Sequence, residues 1–384
     1  MSSTKRSIYY GIILFGIISM LGDTIYEGAR SVVPSYMETI GVSALIIGVV
    51  FGVGEFLGYA LRIISGLLAD ITRAYWHLFI IGYVLLISVP LLGVVRVWYL
   101  VAALVIVERI AKALRSPSRD VLISIVSKGV GAGKAFGIHE LLDQVGAIAG
   151  PALLALTLYL TLNDYSKAFT LLLIPYLALV TVVMLTYTRL KHYTEEYKFS
   201  SSLTAKPYPL PYTFKLYIIA VGLNTAGLIH VSLILYRLTG YLSHWVVPLL
   251  YLSAQAVDAI VAPIAGLLYD RYGRSILLVP FLLSILVSIT AVIGGLTLLV
   301  VSIIVFGLVY GMQESIYRAA VSDITPIEKR GLAYGIFNTV YGLGLLAGGS
   351  LFGMFLSLGY TYTAIAYTLF VEVLAIMLLM KSIK

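Results

Sequence analysis

A stretch of about 20 apolar residues is long enough to cross the roughly 30 Å hydrocarbon core of a membrane. Such stretches follow one another along this chain from one end to the other. Within a bilayer every backbone polar group must be satisfied internally, and apolar runs of this length do so as membrane-spanning helices. Hydropathy predicts 12 spans, at 8–36, 43–68, 74–95, 97–118, 135–162, 166–189, 213–237, 244–268, 275–294, 296–316, 331–357 and 360–381. Charged residues make up only 11 % of the 384, about half the share in a soluble domain. No stretch remains that could form a separate soluble domain. Lys5 and Arg6 ahead of the first apolar run imitate a signal peptide. No small-x-small cleavage site follows, and the run continues past Asp23, so it reads as the first span.

One segment breaks the pattern. Between Lys191 and Lys215 the chain is polar and carries Glu195, Glu196, Ser200 to Ser202, Pro207, Pro209 and Pro211, the composition of a linker. The two sides of it are alike. Gly66-Leu-Leu-Ala-Asp70 recurs as Gly266-Leu-Leu-Tyr-Asp270, and Gly133-Lys-Ala-Phe-Gly-Ile138 recurs as Gly331-Leu-Ala-Tyr-Gly-Ile336. Gly146 and Gly150 find counterparts in Gly344 and Gly348. Order is preserved, and both offsets are about 200 residues, as parallel repeats require. The expected fold is an all-α membrane protein of 12 transmembrane helices in two pseudo-symmetric six-helix bundles, 1–190 and 214–384, joined by a linker at 191–213.

The net charge is +8, and its distribution explains it. With the N-terminus inside, 19 of the 26 Lys and Arg fall at inner ends or loops, and only Arg96, Lys167 and Arg237 at outer ends. The positive-inside rule then places both termini and the linker in the cytoplasm of a cell membrane, and binding to nucleic acid is not expected. The chain has no Cys, which excludes disulfides, thiol catalysis and Cys-ligated metal sites. No P-loop is present, the five His lack metal-ligand spacing, and no serine has the partners of a hydrolase. Neither an enzyme nor a bound cofactor or metal is expected.

Charged side chains at membrane depth cost several kcal/mol each and usually face a cavity or a partner. In the first half they come at helical spacing: Asp23, Glu27 and Arg30; Glu55, Tyr59 and Arg62; Glu108 and Lys112, with Arg109 beside them; then His139, Glu140 and Asp143. The second half is poorer, with Gln255, Asp258, Glu314, Arg318 and Glu372. Mutual neutralisation that fixes helix packing is the bland account of any one of them; Glu372 reads as a lone packing residue. The concentration in four helices suggests a polar cavity. Desolvation raises and a neighbouring Arg lowers the pKa of a carboxylate, so proton binding in a cavity can depend on conformation. Asp23 and Glu27, then Glu108 and Asp143, are the proton-coupling candidates.

Gly266-Leu-Leu-Tyr-Asp270-Arg271-Tyr-Gly273-Arg274 resembles the loop G-x-x-x-D-R-x-G-R of the major facilitator superfamily, at the matching place between the eighth and ninth spans. The copy between the second and third spans keeps Gly66 and Asp70 but continues with Ile71, Thr72, Arg73 and Ala74. The resemblance implies a cytoplasmic gate that stabilises the outward-facing state. Arg109-Ile-Ala-Lys112-Ala113 is similar to the family's fourth-helix motif R-x-x-Q-G, keeping the Arg. Gly146-Ala-Ile-Ala-Gly150-Pro151 resembles its fifth-helix antiporter motif, with Leu154 and Ala155 in place of the closing glycines. Helix 1, from Gly22-Asp23 through Glu27 to Pro34, and Arg115-Ser-Pro117-Ser-Arg119-Asp120 look like one subgroup of the family.

The resemblance implies a monomeric secondary transporter, working by alternating access around a cavity lined by the first, fourth, seventh and tenth helices. Arg30, Arg62, Arg109, Asn224, His230, Asp258, Gln313 and Glu314 are the substrate-cavity candidates. The leading expectation is proton-coupled export of a small amphipathic compound. The alternative is uptake of an organic anion or nutrient by symport, with Arg30, Arg62 and Arg109 binding the carboxylate or phosphate. A receptor that no longer transports is disfavoured by the duplicated gate loop.

Overall fold

The structure is a computed structural model that describes residues 3–127, 132–195, 210–326 and 329–383. The expected linker falls for its greater part, 196–209, outside the described residues. Among the described residues the regular structure is entirely helical. In chain order the helices are α1 (Ser3–Thr39), α2 (Ala44–Thr72), α3 (Tyr75–Val84), α4 (Ser88–Leu91), α5 (Trp98–Val126), α6 (Ala132–Leu160), α7 (Tyr165–Leu171) and α8 (Leu173–Glu195). After the linker come α9 (Tyr212–Gly227), α10 (Val231–Leu238), α11 (Val247–Tyr272), α12 (Leu278–Ile293), α13 (Leu296–Met312), α14 (Arg318–Ile324), α15 (Arg330–Leu358) and α16 (Thr361–Ile383).

Ten helical stretches among the described residues are long and apolar enough to cross a membrane. One of them, Val247–Ile293, is 47 residues long and holds both α11 and α12. Helix α5 does not count by apolarity, because Glu108, Arg109, Lys112 and Arg115 lie along it.

The chain packs as two compact units, Met1–Arg30 with Leu61–Ser202, and Ser31–Ala60 with Leu203–Lys384. Helices α1 and α2 therefore each belong in part to both. In the first unit α3 lies against α5 and α8, and α6 crosses α1 with almost no side chain between them. A Cβ on Gly146 would overlap the Met20 carbonyl, and one on Gly150 would overlap the Thr24 carbonyl and the Gly28 backbone. In the second unit α9 lies against α15 and α16. There Gly344 meets Gly222 and Thr225, while Gly348 meets the carbonyls of Thr225 and Leu228. The two repeated glycine pairs thus make the same kind of close crossing, each in its own unit, as small residues do where dispersion must drive helix association. The second unit has a further crossing, Gly48 and Gly52 of α2 against the α15 backbone at Leu345, Leu346 and Gly349. Ser357 Oγ caps that contact by accepting from Leu45 N at 2.9 Å.

Three of the expected spans differ in ways that bear on the site. The fourth continues past Pro117 to Val126 as one helix. Pro117 cannot donate to the Ala113 carbonyl, and Ser65 Oγ of α2 donates to that oxygen instead at 2.7 Å. The tenth continues past 316 to Ile324 because a π-turn at Gln313–Tyr317 absorbs one residue and lets helix resume as α14. The seventh is broken: α9 ends at Gly227 and α10 starts at Val231. Ser288 repairs the break, accepting from Ile229 N at 2.8 Å and donating to the Gly227 carbonyl at 2.9 Å. His230 caps α10, its Nδ1 accepting from Ser232 N at 3.2 Å.

Both gate loops turn through positive φ at the same motif position, Arg73 at 58° and Gly273 at 62°. Gly273 also has ψ −153°, a region that only glycine occupies without strain.

Substitution at two glycines separates packing from propensity. Gly150→Ala must push α6 off α1 and is expected to lower stability by about 1–3 kcal/mol. Gly137→Ala, with nothing within 4 Å of the added carbon, is expected to be neutral or stabilising by up to about 1 kcal/mol. Thermal unfolding of both variants in detergent checks the pair.

Candidate functional site

The first unit gathers most of the charged candidates around one phenol. Tyr26 on α1 is 2 % exposed. Its hydroxyl accepts from Arg30 Nη1 at 3.0 Å and from Arg109 Nη1 of α5. Lys112 Nζ lies 3.9 Å from the centre of its ring and Arg109 Cζ 4.8 Å, cation–π contacts worth about 2 kcal/mol when desolvated. Arg109 is itself 2 % exposed. The acids sit beside their cations: Glu27 Oε1 is 3.9 Å from Arg30 Nη1, and Glu108 Oε2 is 3.4 Å from Arg109 Nε. The i, i+3 spacing on α1 explains the first pair.

Asp23, one turn before Glu27, interacts electrostatically with Asp143 of α6 and with Lys112, Glu27 and Arg115. Asp143 Oδ1 and Arg115 Nη1 are shielded from solvent and have no hydrogen-bond partner among the described residues. Beside them His139 Nε2 contacts Ser19 Oγ at 3.3 Å, and Arg119 Nη1 donates to the same hydroxyl at 3.2 Å. The glycine crossing of α6 on α1 lies close by in sequence, with Gly146, one turn after Asp143, against Met20, one turn before Asp23. Arg62 lies half-buried on α2.

The second unit holds a polar network of a different kind. Glu372 of α16 is 0 % exposed, and its carboxylate accepts from Asn224 Nδ2 at 2.9 and 3.2 Å. Asn224 Oδ1 accepts from Tyr317 OH at 2.7 Å and from Gln313 Nε2 at 3.3 Å. Gln313 Oε1 accepts in turn from Tyr341 OH at 2.8 Å. The π-turn points both Gln313 and Tyr317 at Asn224, and a side chain at Gly227 would strike the Glu372 carboxylate. His230 Nε2 lies 3.9 Å from Glu55 Oε1. Asp258 and Gln255 are buried on α11, whereas Glu314 and Arg318 are exposed.

Of the gate residues, Asp70 accepts from Tyr75 OH at 2.8 Å, and Arg274 Nη1 donates to the Ser382 carbonyl at 3.1 Å. Gly66 packs near Pro117. Arg73, Asp270 and Arg271 are exposed, with the Arg271 guanidinium 5.3 Å from the Tyr272 ring; Gly266 lies near Ser315 Oγ.

Sequence reasoning passed over Tyr26, Tyr317 and Tyr341, and it read Glu372 as a lone packing residue. Glu372 is a partner of Asn224 instead. Tyr26 carried a signal, since it lies within the same helical stretch as Asp23, Glu27 and Arg30. The tyrosines of the second unit carried none, because this chain has 29.

Helices of this length, paired glycine crossings and buried polar clusters fit a multi-pass membrane transporter. The chain belongs to the major facilitator superfamily, whose profile matches residues 217–383, and it is a multi-pass membrane transporter by family rather than an enzyme. An uncharacterized protein of Mycobacterium tuberculosis is 36 % identical over 379 residues, covering 96 % of this chain and 90 % of its own length. An uncharacterized MFS-type transporter of Methanocaldococcus jannaschii is 27 % identical over 353 residues, covering 89 % and 87 %. The crystal structure of the nucleoside transporter NupG has the same fold, with a TM-score of 0.76 at 15 % identity over 97 % of this chain and 99 % of that one.

The Asn224–Glu372 contact is open to a double-mutant cycle. Asn224→Leu strands a buried carboxylate and is expected to cost about 2–3 kcal/mol. Adding Glu372→Leu is expected to recover most of that loss, as read from unfolding in detergent. Additive losses would mean that the two side chains do not depend on each other.

Proposed function

We propose that this protein is a secondary active transporter of 12 spans in two six-helix bundles. It moves a small molecule by alternating access, with both termini and the linker in the cytoplasm, and it works as a monomer. Coupling is to protons, and the direction is export of an amphipathic compound. The observation that carries this reading is the Asp23–Asp143 region, where two acids on crossing helices share one environment with Lys112 and Arg115 and Asp143 Oδ1 has no hydrogen-bond partner among the described residues. Two acids that feel each other's charge beside Lys112 and Arg115 make a proton or a cationic group the natural third party. Glu27 and Glu108 are paired with Arg30 and Arg109 and serve to hold the cations in place. The close crossing of α6 on α1 at Gly146 and Gly150 lets small helix displacements change the separation of the two acids, which is what coupling needs.

A second reading, uptake of an organic anion, is favoured by a separate observation. Arg30, Arg109 and Lys112 converge on one tyrosine, and guanidinium groups held in this way suit a carboxylate or phosphate.

Reconstitution into liposomes tests coupling and direction together. A lipophilic fluorescent cation loaded inside is expected to leave faster under an imposed pH gradient, and Asp23→Asn and Asp143→Asn are each expected to remove the gradient's effect. Equal rates with and without the gradient contradict proton coupling. Gradient-driven accumulation of organic anions, with no effect on cations, favours the second reading.

A further inference from the structure

We propose that the end of the second unit opposite the linker carries a binding site for a phosphate group, built on Arg237, and that the phosphate of a lipid headgroup occupies it. Here the last turn of α10, the C-terminal end of α12 and the α15–α16 turn enclose a cavity of about 190 Å³, lined by Tyr236, Arg237, Val292, Phe355, Tyr360 and Thr361 among others. A cavity of that size holds a group several times larger than a water molecule.

Arg237 is half-buried and held rigidly. Its Nη1 donates to the carbonyls of Ala291 and Val292, the second at 2.8 Å. These are orphan carbonyls at the end of α12, where a cation also complements the helix dipole. Gly294 makes room for the guanidinium, since any side chain there would overlap Nη2. The carbonyls fix the group's position but leave its charge unneutralised. Among the described residues Arg237 pairs with no carboxylate, and the connections at this end, 239–246, 294–295 and 359–360, contain neither Asp nor Glu. Glu38 is the acid whose charge reaches this corner, and it acts on the Tyr236 hydroxyl.

A guanidinium with fixed orientation and remaining N–H donors fits the tetrahedral oxygens of a phosphate better than any neutral ligand. The surroundings fit a lipid as its source. Tyr241, Tyr360 and Tyr362 are exposed at this end together with Leu358 and Ile293, the mixture found where rings sit at headgroup level and aliphatic groups meet acyl chains. The site shares no residue with the Tyr26 cluster and stands whichever way transport runs.

Native mass spectrometry of the delipidated full chain tests it, with dioctanoyl phosphatidylglycerol as the probe, dioctanoylglycerol as the phosphate-free control, and inorganic phosphate as competitor. The expected result is one phospholipid per chain, bound at least about tenfold more tightly than the control. Arg237→Gln and Thr361→Phe, which fills the cavity with Arg237 left in place, are each expected to weaken binding by about tenfold. Displacement by millimolar inorganic phosphate would support the phosphate site and assign its ligand to the aqueous phase; no displacement would assign it to the lipid. Equal binding of the phospholipid and the control, or unchanged phospholipid affinity in Thr361→Phe, would overturn the proposal. Because Arg237 also caps α12, Thr361→Phe decides alone if Arg237→Gln fails to fold.

Discussion

A guanidinium that is 2 % exposed, on a helix that must lie among apolar neighbours, is tolerable only if its donors and its charge are answered locally. Arg109 is answered by the Tyr26 hydroxyl, the Tyr26 ring face and the Glu108 carboxylate. That one requirement ties α5 to α1. Arg30 and Lys112 share the same phenol, so the position of Tyr26 sets the spacing of three cations. The glycine crossing of α6 then sets how near Asp143 comes to that assembly. A cluster so constrained has few ways to rearrange, and any rearrangement changes the field that Asp23 and Asp143 experience.

The second unit solves the same problem without cations. Its buried carboxylate, Glu372, is held by an amide, and the amide's oxygen is held by a tyrosine and a glutamine. Two irregularities of the backbone make this possible: the π-turn that aims Gln313 and Tyr317, and the break after Gly227 that Ser288 bridges. Broken or π-turned helices at membrane depth are tolerated where side chains satisfy the freed backbone groups. Both devices lie beside the same asparagine. Charge pairing in one unit and hydrogen bonding to amide and phenol groups in the other give the two units different chemistry.

Much of this plan was legible in the amino-acid sequence, and the reasons are physical. Helix existence follows from apolar run length, and the close crossings follow from Gly146, Gly150, Gly344 and Gly348, because only glycine admits contact between backbones. The Asp23, Glu27, Arg30 spacing placed three charges on one face. What could not be read were events that depend on two distant residues at once. The fourth span, expected to end at 118, runs on past Pro117, where Ser65 supplies the donor that proline lacks. Glu372 looked solitary because its partner Asn224 lies 148 positions away. The break in the seventh span has a local cause in Gly227 and His230, yet glycine is so frequent here, 35 residues, that no single one announces a break.

On the proposed mechanism, Asp23 and Asp143 exchange protons when the site is filled. It is tested most directly by measuring proton release or uptake from the purified protein in weak buffer, as lipophilic cations and then organic anions are added. The class of compound that binds is expected to change the number of bound protons, and the change is expected to disappear in the Asp23→Asn, Asp143→Asn double variant while binding persists. Binding with no proton exchange, or exchange that survives in the double variant, would contradict it and leave the two acids a structural role.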